Sequence, residues 1–137
     1  KKADYDFLYE AMSCFPPESN FPVYAKEAVW DASVKFLLYG AAKGERPKQI
    51  RIFNKIGGAY GFLTDIAYIV DFDKKIEFML SATILCNSDG IFNDDQYDYE
   101  NIGYPFLKEL GQLIYDHEIT RKQKTVPDLQ KFRFSYK

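Results

Sequence analysis

The chain has 137 residues, 47% of them apolar and 18% aromatic, enough for one folded domain with a real core and too much for a disordered segment. A net charge of -2 and a pI near 5.4, with acids and bases interspersed, leave no basic footprint for nucleic acid, and no apolar run approaches the roughly 20 residues needed to cross a bilayer. The first residues are Lys1-Lys2-Ala3 rather than a methionine, as expected of a piece cleaved or cut from a longer protein.

In chain order, Phe7, Leu8, Ala11 and Met12 share a helical face, so the pattern predicts a short amphipathic helix over 4–12 that Pro16-Pro17 ends. Apolar residues at Ala25, Ala28, Val29, Ala32, Phe36 and Leu37 predict a second helix over 25–39, closed by Gly40. The polar run 41–49, with Gly44 and Pro47, reads as a loop that ends a helical segment spanning 1–49.

Residues 50–86 read as a sheet with strands at 50–56, 63–72 and 75–86. Asp73-Lys74 suits a tight hairpin between the last two strands, and Gly57-Gly58 with Gly61 supplies the turn between the first two, which makes an antiparallel meander. Both faces of the later strands are largely uncharged. Such a sheet has to be covered on both sides, one by the C-terminal helix and the other by the N-terminal helices or by protein outside this chain. If that second face is left uncovered, self-association through it is the expected outcome.

Residues 87–120 combine an acidic, aromatic loop with a helix beginning near Pro105 and carrying Phe106, Leu107, Leu110, Leu113 and Ile114 at helical spacing. The basic stretch 121–137 is expected to be a partly extended tail. The fold class that follows is α+β, of the α/β sandwich type: a three-stranded antiparallel meander between N-terminal helices and a C-terminal helix.

The residues with chemical promise cluster where the first strand meets its glycines. Lys55 stands where the chain stops being apolar, beside Gly57, Gly58 and Gly61, and a cation next to unshielded backbone N–H groups is how an anion or oxyanion site is built. The plainer alternatives are a strand-end lysine in solvent and glycines that serve only the turn. Asp89, Asn93, Asp94, Asp95, Asp98 and Glu100 lack the glycine placement of a calcium loop and read as a solvated loop. Cys14 and Cys86 have no metal-binding spacing and His117 is the single histidine; buried thiols are expected, with a disulfide as the alternative. Trp30 and Tyr24 suit core packing before a carbohydrate or peptide surface, and His117 suits an exposed helix end. No cofactor is called for.

Asn54-Lys55-Ile56-Gly57-Gly58-Ala59-Tyr60-Gly61, then Thr64-Asp65-Ile66-Ala67-Tyr68-Ile69-Val70, a hairpin, an apolar strand and a last helix resemble the C-terminal part of class A β-lactamases and related penicillin-recognising serine hydrolases. That family joins a Ser-x-x-Lys nucleophile motif, a Ser-Asp-Asn-type element and a Lys-Thr-Gly strand. The resemblance implies that Lys55 supplies electrostatic stabilisation with Gly57 beside it, that the Gly58 N–H is an oxyanion donor, and that Ile56, Ala59 and Tyr60 lie against substrate.

No serine of the chain is followed three residues later by lysine, and Ser88-Asp89-Gly90 lies after the Lys55 strand and reads as a turn. Ile56 also departs from the family's threonine and has no hydroxyl to offer a carboxylate. The resemblance therefore implies a C-terminal portion of a serine hydrolase that is inactive alone, its nucleophile elsewhere, working in the cell envelope outside the cytoplasm on a small-molecule or peptide-like substrate. A non-catalytic binding domain of the same fold is the rival.

Overall fold

A computed structural model describes residues 1–24 and 30–136. Its centre is a three-stranded antiparallel sheet in the order β1-β2-β3, with β1 at Ile50–Ala59, β2 at Phe62–Asp71 and β3 at Ile76–Leu85. The expected meander forms, and the fold is α+β.

The turns differ from expectation. Gly57 and Gly58 continue β1 in extended conformation, and the reversal is made by Tyr60-Gly61, both at positive φ (53 and 86). A two-residue connection with both residues left-handed matches the twist of the flanking strands, so the turn moved to the position where the hairpin is shortest. Gly61 is required there because a Cβ would lie 2.6 Å from that of Asn87. The second hairpin uses four residues, 72–75, in place of Asp73-Lys74 alone. One carboxylate oxygen of Asp71 accepts the N–H groups of Asp73 (2.8 Å) and Lys74 (2.9 Å), and that side-chain hold favours the longer turn.

Helix α1 occupies Lys2–Ser13; of its expected buried face, Met12 is half-buried and packs on the sheet beside Tyr9, whereas Phe7 and Leu8 are exposed. Of the expected helix over 25–39, the part at 25–29 lies outside the described residues. The remainder is a turn followed by α2, a single helical turn at Phe36–Tyr39, where Leu37 and Leu38 leave helical geometry. All four of its side chains are buried, which one face of a regular helix cannot do. Gly40, at φ 58, does close the segment.

α3 at Tyr104–Thr120 forms near the expected Pro105. Together α2 and α3 cover one sheet face, in a core of Leu37, Leu38, Ile52, Leu63, Ile69 and Leu107. Gly111 lets α3 touch the backbone of α2, since a Cβ there would stand 2.3 Å from the Leu38 nitrogen. The other face is covered for half its length, where α1 and the tail meet over Phe53, Val70, Leu129 and Phe132. The tail is extended apart from one turn at Gln130–Phe132, and its aromatic residues anchor it. Beyond this patch the face is open, with Ile66, Met79 and Leu85 each about half exposed or more. Among the described residues no helix is long and apolar enough to cross a membrane.

Candidate functional site

Lys55 projects from β1 onto the open half of the sheet, opposite Ile66, and its Nζ donates to the carbonyl of Ile56 at 2.7 Å. The backbone around it is set by register. The Phe72 N–H bonds the Gln49 carbonyl (3.0 Å), and antiparallel pairing alternates from there, so Arg51, Phe53, Lys55, Gly57 and Ala59 direct their backbone groups at β2. Ile52, Asn54, Ile56 and Gly58 turn theirs outward, away from the sheet. Lys35 Nζ on the Ile52 carbonyl (2.8 Å) and Lys55 on that of Ile56 both exploit this edge. The Gly58 N–H therefore points off the free edge of β1, around the corner from the Lys55 ammonium.

The glycines are not demanded by packing. A Cβ on Gly57 would meet nothing within 4 Å, one on Gly58 only ordinary contacts starting at 3.8 Å, and neither residue has a positive φ. A residue without a side chain at an uncrowded strand position gives up stability and leaves the backbone open to close approach.

Three cavities meet at this corner; one, of about 430 Å³, lies on the sheet face between Lys55, Ile66, Met79 and Phe132, and the other two divide the residues expected at the site. Lys55 and Ile56 line the first, of about 500 Å³, with Lys35, Asn54, Cys14, Val34 and apolar residues of α1 and the following loop. Gly58, Ala59 and Tyr60 line the second, of about 450 Å³, with Asn93, Asp95, Tyr97 and Tyr99. Gly57 sits exposed between them. Tyr24 lines the first cavity, Trp30 packs against the core, and His117 is exposed on α3, while Ser88-Asp89-Gly90 lies in an irregular loop. Cys86 is buried, Cys14 is half-buried, and both are free thiols. Burial pushes the Cys14 thiol up, away from the thiolate.

Behind the edge lies a polar network that the strand pattern concealed. Lys35 is only 3% exposed, and its three ammonium protons go to the carbonyls of Met12 (2.5 Å) and Ile52 (2.8 Å) and to Asn54 Oδ1 (2.9 Å). Asn54 Nδ2 donates to the Val34 carbonyl (2.7 Å) and to Asp65 Oδ1 (2.9 Å), and Asp65 Oδ2 accepts the Leu37 N–H (2.9 Å). Burial lowers the Lys35 pKa to about 8, and burial also raises that of Asp65 against the pull of its hydrogen-bond donors. With no unused proton, Lys35 is a structural tie holding the end of α1 to β1 and not a second nucleophile. Asn54 and Asp65 were detectable as polar residues at strand positions that alternation assigns to the covered face. Lys35 gave no such signal, because in a helical reading it is an ordinary surface lysine.

No family model, curated protein or solved structure matches this chain. Among the described residues no group of three or more His, Cys, Asp or Glu side chains could hold a metal ion.

Proposed function

We propose that this chain is the C-terminal portion of a β-lactamase-like serine hydrolase, in which Lys55 offers its charge to a substrate carboxylate and the outward N–H of Gly58 helps to bind the oxyanion. The nucleophilic serine stands on a separate segment that docks along the edge of β1, where the Gly58 N–H points, and the chain alone is inactive. One observation carries the reading: Gly57 and Gly58 stand extended on the edge strand with room for side chains they do not have, beside a lysine whose one hydrogen bond among the described residues is to its own strand. Stability gives no reason for two glycines there; close approach of a ligand to the backbone does.

The test uses the complete gene product and a fluorescent β-lactam or fluorophosphonate that acylates active serines. Labelling is expected at one serine outside residues 1–137, and Lys55→Gln should slow it by about 100-fold, the scale of losing one electrostatic stabiliser. Stoichiometric labelling of a serine within this chain would overturn the proposal.

Ile56 favours one rival. It removes the hydroxyl that the resemblance leads one to expect for a substrate carboxylate, and a binding domain of the same fold has no use for that hydroxyl. Complete absence of labelling in the gene product supports that rival.

A further inference from the structure

The second cavity, on the Gly58 side, has walls unlike the first. Tyr97 and Tyr99 stand with ring centroids 5.5 Å apart and are held by the backbone: the Tyr97 hydroxyl accepts the Asn93 N–H (2.9 Å), and that of Tyr99 accepts the Gly61 N–H (3.1 Å). Tyr60 completes the wall from the hairpin tip, its backbone at φ 53 and its side chain exposed. The loop is pinned just past the end of β3 through Asp98, whose N–H reaches the Cys86 carbonyl (2.9 Å) and whose carboxylate accepts the Ser88 N–H (3.0 Å). The Tyr97 and Tyr99 rings are therefore held in place, and Tyr60 adds an exposed ring beside them.

Charge gives the surface a sign. Between Lys75 and Lys108 the sequence has no basic residue and six acids. Asp89, Asp94 and Asp98 use their carboxylates to bond loop N–H groups, whereas Asp95, at the cavity, has no hydrogen-bond or ion-pair partner among the described residues. Tyrosine faces and a free carboxylate attract the same kind of ligand, an organic cation.

We propose that the cleft walled by Tyr60, Tyr97, Tyr99 and Asp95 is a binding subsite for an alkylammonium group. Its catalytic meaning rests on the hydrolase reading above: a substrate there would present carboxylate to Lys55 and ammonium to this cleft, with its reacting carbonyl near Gly58 between them. Lys55 and Asp95 then read opposite ends of one zwitterionic molecule, which a neutral or doubly anionic compound of the same length cannot satisfy.

The test is an NMR titration of the 137-residue chain with n-butylammonium chloride at constant ionic strength, with n-butanol as the uncharged control of matching shape. Saturable shifts are expected at the amides of Gly58, Tyr60, Tyr97 and Tyr99, with butanol binding about ten-fold more weakly. Asp95→Asn, at an exposed position with no partner among the described residues, should weaken the ammonium about five-fold or more and leave the rest of the spectrum in place. Equal affinity for butanol, wild-type affinity in Asp95→Asn, or shifts scattered over the acidic surface would each overturn the proposal. The titration needs no hydrolysis, so its failure leaves the acylation result standing, and failure of acylation leaves the subsite standing.

Discussion

The Lys35 ammonium donates to Asn54 Oδ1 across 2.9 Å, with both side chains buried. A charge so placed is costly unless every proton is used, and the carbonyls of Met12 and Ile52 take the other two. The tie joins α1, the start of α2 and the edge strand.

Its titration sets an alkaline signature. The folded pKa lies near 8 against the usual 10.5, so between these values the unfolded chain holds a proton that the native state has released. This group's contribution to stability is constant below about pH 8 and rises with pH through that window by on the order of 3 kcal/mol. Buried tyrosines act oppositely above about pH 10, since burial pushes Tyr39 up to about 12. Urea unfolding of wild type and Lys35→Met at pH 7.5 and 10.5 separates the two, and the gain should vanish in the variant.

Glu18 and Arg51 form a buried two-bond pair (2.6 and 3.0 Å), with the guanidinium between the rings of Phe15 (4.5 Å) and Tyr136 (3.8 Å). Burial opposes ionisation of Glu18, but the Arg51 and Phe15 N–H donors outweigh it and lower its pKa. The stabilisation is present above about pH 4.5 and lost as pH falls through the lower folded value. Glu18→Gln leaves Arg51 buried without a counter-charge, at a cost of about 3–5 kcal/mol at pH 7, and denaturant titrations should show a flatter acid limb in the variant.

Gly111→Ala should destabilise by about 3 kcal/mol, because the atom facing the new methyl is backbone of Leu38, at 2.3 Å, and α3 has to move away. Gly57→Ala is the counterpart. With free space and ordinary φ it should leave stability unchanged or raise it by about 0.5 kcal/mol, while slowing acylation of the gene product. Thermal unfolding of the two variants checks the contrast, and a clear loss in Gly57→Ala would return that glycine to a structural role.

The sheet was legible in the sequence because alternation and short polar connections are local signals, and α3 because Leu107, Leu110 and Ile114 recur at helical spacing after Pro105. The segment over 30–39 was not. Phe36, Leu37, Leu38 and Tyr39 are apolar in succession, and their spacing fits a helix as well as the contorted turn that buries all four against α3. The tail's basic residues likewise masked Leu129 and Phe132, whose burial depends on a distant Phe53. At the site, the Lys55 strand could be read directly, whereas Asn54 and Asp65 meet only through a strand register that the turn at Tyr60-Gly61 decides.

The free edge of β1 also bears on how this chain behaves among its own copies. An unpaired strand edge beside an open apolar face is a template for another strand, and charge on the edge is the usual defence. Lys55 lays its ammonium on the Ile56 carbonyl, occupying one of the acceptors a foreign strand would use. It is a gatekeeper against stacking as well as a candidate anion anchor, and a neutral residue in its place exposes the isolated chain to edge-to-edge aggregation even where the fold itself is untouched.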